Sequence, residues 1–333
     1  MKHQVIIEKI LKLWSSSNSI LLTGAANLDG DALGCLLALY DLAVAQGKEV
    51  VIVNEKPLSS LYSFLGVADR VLTVVPKKEY DAIFICDTGS FDMLGTVYSE
   101  NADVFAKTQI VNIDHHTSCY GDFCWSTCSF ENTSATMMVA KLIEIGCGPQ
   151  AITKDMATYL LLGLYYDTEC FRNANTSAEG YKFAARMMEF GADHNRLIRN
   201  LYQSTAPAYV GLYGEVLASL VSVQEGIGMI GVVTQEMLKR RNISIDCLGN
   251  ELVNDYLRSV QAKFVILLKE TVEGGYRISL RSKDDAYDMR PLAAKFGGGG
   301  HKLASGACTK HYSLEEVMNI IANHVFYMDT SST

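Results

Sequence analysis

Six residues, Val111-Asn112-Ile113-Asp114-His115-His116, constrain this chain more than any other stretch: an apolar run ends abruptly in one carboxylate and two adjacent imidazoles. From Thr108 to Ile113 the run is short, β-branched and uninterrupted, the pattern of a strand buried on both faces of a parallel sheet. The polar triplet then falls where such a strand meets its C-terminal loop, which is where open α/β sheets keep their ligands. An isolated His pair at that place does no more than cap a strand. What gives this one chemical meaning is the company of other acidic segment ends.

The same punctuation recurs along the chain. Ile20 to Thr23 reads as a strand, followed by the loop Gly24-Ala25-Ala26-Asn27-Leu28-Asp29-Gly30-Asp31 and a helix to Ala45, with Leu33, Leu36, Leu37 and Tyr40 at helical spacing. Glu49 to Val53 is the next strand, Val71 to Val75 a short one, and Asp81 to Cys86 another buried strand that ends at Asp87-Thr88-Gly89. Two helices follow between Ser134 and Tyr166, the second running from Ile152 up to Asp167-Thr168-Glu169. Strands alternating with helices predict an α/β fold with a doubly wound parallel sheet for residues 1–192.

Residues 193–220 read as a helical linker broken at Pro207, and residues 221–333 as a smaller, mixed α/β domain. In that domain Ile227 to Val233, Lys263 to Lys269 and Tyr276 to Ser282 are strands, the last two joined by a Gly274-Gly275 hairpin. Leu248 to Val260 and Leu314 to Phe326 are helices. Between them Phe296-Gly297-Gly298-Gly299-Gly300-His301 places four glycines in a row, which costs much chain entropy. The run is either a plain flexible loop or backbone that approaches an anion closely and offers it N–H groups.

Charge narrows the partners. The net charge of -8 argues against a surface that coats long nucleic acid. Residues 261–310 nonetheless carry nine Lys or Arg against five Asp or Glu, which suits a small anionic ligand. No apolar run reaches membrane-spanning length. Glu8, Lys9 and Lys12 interrupt the N-terminal apolar residues in the manner of an amphipathic helix packed on the fold rather than a signal peptide. Nine cysteines without a Cys-x-x-Cys predict reduced thiols and a cytoplasmic protein, and a zinc site at Cys119, Cys124 and Cys128, the less favoured reading, would need a fourth ligand and better spacing.

The candidate metal ligands are Asp29, Asp31, Asp87, His115 and Asp167, each just after an apolar segment. Several carboxylates converging without a cation repel one another, so a metal is implied. Carboxylates with an imidazole suit divalent manganese or magnesium, with manganese favoured by the histidine. Two such ions would serve hydrolysis of a phosphoryl group.

Asp-Gly-Asp-Ala-Leu-Gly at 29–34, Asp87, Asp-His-His at 114–116, Asp167 and Gly-Gly-Gly-Gly-His at 297–301 together resemble the DHH phosphoesterase superfamily with a DHHA1 C-terminal domain. The order and spacing are similar to its stand-alone branch, which degrades nanoRNA, dephosphorylates pAp or cleaves cyclic dinucleotides. The resemblance covers nearly the whole chain. It implies that Asp29 binds a first metal, that Asp31, His115 and Asp167 bind a second, and that Asp87 bridges them. It implies too that His116, beside Asp114, contacts the scissile phosphate and protonates the leaving oxygen. Arg172, in the polar loop beside Asp167, would either clamp a phosphate or serve a structural role, and Arg281, Gly298, Gly299, Gly300 and His301 would hold the rest of a short 5′-phosphorylated oligoribonucleotide, a dinucleotide or pAp. A homodimer through the N-terminal domain is a further implication.

One position departs from the pattern. The family's first motif reads His-x-x-Pro-Asp-x-Asp, and here Ala25 stands where the metal-binding His would be and Leu28 where the Pro would be. Alanine cannot coordinate, so the resemblance implies a weakened first metal site and impaired turnover. An introduced inactivating substitution accounts for this better than natural decay, which would remove several ligands; a natural form with altered catalysis is the other reading. The leading expectation is therefore a metal-dependent oligoribonuclease. A cyclic-dinucleotide phosphodiesterase is the same-class alternative, and a nucleotide sensor without turnover the alternative of another class.

Overall fold

A computed structural model describes residues 2–116, 125–128, 133–245, 248, 251–310 and 312–330. The chain divides into two compact units, residues 1–204 and 205–333.

The first unit is built on a six-stranded, wholly parallel sheet: β1 (Ser19–Gly24), β2 (Glu49–Val53), β3 (Val71–Leu72), β4 (Ala82–Cys86), β5 (Gln109–Asp114) and β6 (Trp125–Cys128), in the order β3-β2-β1-β4-β5-β6. Both faces are covered, which is why these strands read as unbroken apolar runs. Ile20, Leu22, Phe84, Val111 and Ile113 face the helices Lys2–Ser16, Gly30–Ala45, Ala135–Cys147 and Lys154–Asp167 through Ile10, Leu36, Val139 and Leu160. The alternate residues Leu21, Ile83, Ile85 and Ile110 meet Leu94, Val97 and Phe105 on the opposite face. This is the doubly wound arrangement expected. Strand β6 was not foreseen: residues 125–128 carry no long apolar run.

Helix Lys2–Ser16 buries Ile10, Leu13 and Trp14, and no helix among the described residues is long and apolar enough to cross a membrane. The described cysteines Cys35, Cys86, Cys147, Cys170 and Cys308 are free thiols. Cys119 and Cys124 lie outside the described residues. Helices His194–Tyr202 and Pro207–Ala218 follow, Pro207 opening the second at a position where its missing N–H costs nothing.

The second unit carries a mixed six-stranded sheet: β7 (Val221–Val223), β8 (Gly228–Val233), β9 (Phe264–Glu270), β10 (Tyr276–Ser282), β11 (Gly299–His301) and β12 (Ala304–Cys308), in the order β11-β12-β10-β9-β8-β7. Only β8 and β9 are parallel to each other. Gly274 and Gly275, with φ of 84° and 96°, turn β9 into β10 as their dipeptide predicts. The four-glycine run is not a free loop, because Gly299 to His301 pair with β12.

Candidate metal centre

The register of the first sheet sets a row of positions at its carboxyl edge. Gly24 pairs with Cys86 and Cys86 with Ile113, so the next residues, Ala25, Asp87 and Asp114, emerge side by side. Asp87 leaves its strand at a φ of 53°, a left-handed conformation that Asp tolerates better than most residues, and its N–H donates to the Ile113 carbonyl at 2.8 Å. Asp87 is 6% exposed, and Asp114 is fully buried.

Asp29 and Asp31 are two residues apart and serve different helices. Asp29 is the N-cap of Gly30–Ala45, its Oδ1 accepting from the N–H groups of Asp31 and Ala32 at 3.0 Å each. Asp31 is fully buried and caps Ala135–Cys147 instead, accepting from Ala135 N at 2.5 Å and Thr136 N at 2.9 Å. The N-cap residue of that helix, Ser134, makes no side-chain cap of its own.

Glycines bring the next ligand close. A Cβ on Gly163 would stand 2.4 Å from Asp31 Oδ1, and one on Gly34 would stand 2.3 Å from the Tyr159 carbonyl. Helices Gly30–Ala45 and Lys154–Asp167 can therefore cross in near backbone contact, which sets Asp31 beside Asp167 at the second helix's end. An anionic Asp167 at a helix C-terminus opposes the helix dipole. A cation beside it removes that conflict.

His115 completes the group. Its Nε2 lies 3.1 Å from Asp167 Oδ2, 3.4 Å from Asp87 Oδ1 and 3.8 Å from Asp31 Oδ2. One ligand atom each from Asp31, His115 and Asp167 fall within 4.8 Å of one another, as do those of Asp87, His115 and His116. Asp29 belongs to neither triplet, but the charges of Asp87 and Asp31 reach it.

The electrostatics are those of a cluster suited to a cation. Burial, reinforced by Asp87 and Asp31, pushes the Asp29 carboxyl up to about 8. Burial and Asp87 push Asp31 up to about 6 against the pull of His115 and two backbone N–H groups. Burial and Asp31 hold Asp167 well above the usual carboxylate range. Burial works to lower the His115 imidazole, but the adjoining Asp167 and Asp87 carboxylates outweigh it and hold the group at about 11. Asp87 Oδ1, Asp114 Oδ2, His115 Nε2 and Asp167 Oδ2 are buried without a hydrogen bond. Such orphaned atoms are rare and call for a partner. A divalent cation fits them, since carboxylates with one imidazole form a donor set for manganese or magnesium.

His116 has a different tie. Its Nδ1 lies 2.8 Å from Asp114 Oδ1 and 3.3 Å from Asp87 Oδ1, and its backbone N–H donates to the same Asp114 oxygen at 3.1 Å. The Asp114 contact raises the His116 pKa above its ordinary value, while burial opposes the rise. For Asp114 itself burial pushes upward, and the hydrogen bonds from His116 overcome it to leave the carboxyl below its ordinary value.

Past Asp167 the helix closes in a Schellman motif, Glu169 N–H donating to the Tyr166 carbonyl at 3.1 Å and Cys170 N–H to that of Tyr165 at 2.8 Å. Arg172 follows in an exposed position, its Nε donating to the Glu169 carbonyl at 2.7 Å and its guanidinium 5.0 Å from the Tyr202 ring centre.

The remaining predicted residues belong to the second unit. Arg281 and His301 both pair with Ala304, so the two lie in one row on one face of that sheet. Arg281 is half-buried, its Nε donating to Asn254 Oδ1 at 3.1 Å, and His301 is exposed. Gly298 and Gly300 have a packing reason to be glycine: a Cβ would meet the Gly306 carbonyl at 2.1 Å and the Ala304 carbonyl at 2.6 Å respectively. Gly299 faces open space and is the glycine a ligand can approach.

Sequence reasoning missed Gly163, Thr168, Asn173 and Asn175. Gly163 had a usable signal, since a glycine inside an apolar helix costs about 1 kcal/mol against alanine and needs a reason. The asparagines had none: their Nδ2 groups donate to the Asp167 carbonyl at 3.0 and 3.2 Å, a use that composition does not announce.

Residues 19–164 match the family model described as DHH family, N-terminal domain. The chain is 29% identical over 292 residues to the bifunctional oligoribonuclease and PAP phosphatase NrnA of Thermus thermophilus, covering 86% of this chain and 83% of that protein. It is 25% identical to the Bacillus subtilis protein of the same description, covering 95% and 96% respectively. In fold it is similar to an exopolyphosphatase-related protein from Bacteroides fragilis, with a TM-score of 0.88 at 23% identity over 99% of this chain and 98% of that one. The domain match, its span over the strands and helices that bear Asp29, Asp31, Asp87, His115 and His116, and the near full-length similarity to NrnA proteins agree: residues 19–164 form a DHH-family N-terminal domain, and the chain as a whole is similar to phosphoesterases of the NrnA type.

Proposed function

We propose that this protein is a divalent-metal-dependent phosphodiesterase that releases mononucleotides from short 5′-phosphorylated oligoribonucleotides and dephosphorylates pAp. The observation that carries the reading is the convergence of Asp31, Asp87, His115 and Asp167, among which Asp87 Oδ1, His115 Nε2 and Asp167 Oδ2 are buried without a hydrogen bond. The activities of the similar Thermus and Bacillus proteins suggest the substrate class. Free thiols at Cys35, Cys86, Cys147, Cys170 and Cys308 suit a reducing, cytoplasmic setting.

In this reading Asp31, His115 and Asp167 would hold one cation, Asp29 would serve a second, and Asp87 would be available to either. Manganese is the preferred ion because an imidazole sits among the carboxylates. Bound metal would supply the positive charge that neutralises the carboxylates and stabilises charge on the phosphoryl oxygens. Asp114 keeps a proton on His116 Nδ1, which directs the opposite nitrogen, Nε2, outward as the acid. As water adds to phosphorus and the P–O ester bond breaks, the departing oxygen takes its proton from His116 Nε2, while the attacking water gives up its proton to solvent, from which the imidazole is recharged. Arg172 would receive a phosphate with the ends of its guanidinium, since its Nε is engaged with Glu169. In the second unit, taken by itself, Arg281, His301 and Gly299 would bind a phosphate or base of a nucleotide.

Ala25 favours a second reading, a protein that binds nucleotides without turning them over, because the row of Ala25, Asp87 and Asp114 lacks a ligand at its first place. One assay separates the two: manganese-dependent release of mononucleotide from a 5′-phosphorylated diribonucleotide, on this chain and on Ala25→His. Cleavage by either form supports the enzyme, and cleavage only after His is installed assigns the defect to Ala25. Tight binding without cleavage by both supports the sensor. Absence of both binding and cleavage overturns the substrate class.

A further inference from the structure

Glu169, Cys170 and Phe171 are three consecutive residues with left-handed backbone, at φ of 45°, 56° and 67°, and none is glycine. Each such residue costs about 1 kcal/mol or more, so a run of three persists only where the surroundings impose it. The run lies between Asp167, which faces the metal centre, and Arg172, which is assigned a phosphate. The Schellman bonds account for its first two residues. They do not account for Phe171 or for the direction in which the chain leaves.

Thr168 does. It is fully buried. Its hydroxyl donates to the Leu164 carbonyl at 2.6 Å and accepts from Phe171 N–H at 3.0 Å, so one oxygen ties the helix to the third left-handed residue. Its carbonyl accepts from both Arg172 N–H at 2.8 Å and Asn173 N–H at 3.0 Å. The hydroxyl alone gives the Phe171 N–H its acceptor; the carbonyl would remain after any substitution. Removing the hydroxyl therefore strands one donor at the point where the turn is most strained, while Asp167 keeps its helix and the two asparagines on its carbonyl.

We infer that Thr168 is a positioning residue: its hydroxyl locks the left-handed turn that presents Arg172 to the substrate phosphate, and it acts on substrate affinity through Arg172 rather than on the metal. This rests on the phosphodiester reading given above, and the test keeps the two apart. The full chain is compared with Thr168→Val, Thr168→Ser, Arg172→Ala and the Thr168→Val/Arg172→Ala double variant. The readouts are affinity for a 5′-phosphorylated diribonucleotide, affinity for manganese alone, and amide hydrogen exchange at residues 171–173.

The expected result is that Thr168→Val weakens dinucleotide binding about tenfold, the scale of a buried N–H left without its acceptor. Thr168→Ser stays within about twofold, manganese affinity is unchanged in both, and the double variant binds no more weakly than Arg172→Ala, because residues acting through one another are not additive. Exchange at 171–173 quickens in the two variants that carry Thr168→Val and in neither of the others. Additive losses, equal losses of dinucleotide and manganese, or a Val variant that binds as the parent does would each overturn the inference. Should the parent chain bind no dinucleotide, the functional reading fails on its own; exchange at 171–173 unaltered by Thr168→Val then overturns the lock as well, and selective quickening upholds it.

Discussion

Asp114 Oδ1 holds both the ring and the backbone of His116, two positions along the same chain, at 2.8 Å and 3.1 Å. One carboxylate thus fixes where the imidazole sits and which nitrogen bears the inward proton. Replacing Asp114 with Asn keeps the shape and removes the charge. The His116 pKa, raised in the native protein chiefly by this contact, falls towards or below its ordinary 6.5 because the opposing effect of burial remains. NMR titration of the His116 ring reads this directly. Where turnover is measurable, kcat drops about 10- to 100-fold and its alkaline limb moves to lower pH, since the acid is lost sooner.

The metal-free cluster gives a pH dependence of defined sign. A group whose folded-state pKa is raised contributes most below its ordinary value and progressively less as pH climbs to the folded value. For Asp29 that window runs from 3.8 to about 8, and for Asp31 from 3.8 to about 6. These carboxyls therefore favour the metal-free fold in mild acid and disfavour it above neutrality. Manganese reverses the effect by displacing the protons, so the rise in Tm on adding it is larger at pH 8 than at pH 5.5. At a hundred times its Kd the metal adds about 2.7 kcal/mol. Calorimetry in buffers of different ionisation enthalpy should also detect protons released on binding; an equal Tm rise at both pH values would contradict the cluster's protonation.

Gly163→Ala is the smallest change expected to disturb the centre from outside it. Alanine is the better helix former, yet its Cβ would lie 2.4 Å from Asp31 Oδ1 and 2.5 Å from Thr136 Cγ2. Overpacking of this kind costs about 1–3 kcal/mol. Manganese affinity falls along with Tm because Asp31 is what must move. A variant more stable than the parent, as helix propensity alone predicts, would refute the contact.

The glycine run separates packing from binding. Gly298→Ala meets the Gly306 carbonyl at 2.1 Å and lowers stability by about 1–3 kcal/mol. Gly299→Ala meets nothing within 4 Å, so stability is retained while nucleotide binding weakens if the backbone there contacts the ligand. Thermal melts and dinucleotide titrations on the two variants distinguish these fates.

The first unit was legible because a parallel sheet writes itself as apolar runs with polar ends: Ile20 to Thr23, Asp81 to Cys86 and Thr108 to Ile113 each became a strand. His115, Asp31, Asp87 and Asp167 were found by the same rule, and the structure brings their ligand atoms together. Asp167 ends a helix instead of a strand, which the pattern of apolar residues before it also indicated. What stayed hidden depends on chain segments far apart. The bond from Ala135 N–H to Asp31 spans 104 residues, and nothing near either residue declares it. Strands β11 and β12 are short and rich in glycine and alanine, so they carry neither alternation nor β-branched residues to mark them.

Asp31 caps a helix as well as facing the metal centre, and the two duties separate what its presence means from what its neighbours' presence means. A lineage that abandoned the metal would still be held to Asp31, because the first turn of Ala135–Cys147 has no other side-chain cap among the described residues. His115 and the Asp87 side chain have no such second employment, and drift would reach them first. The survival of Asp31 in a distant relative is thus a record of architecture, whereas the survival of His115 and Asp87 is a record of chemistry.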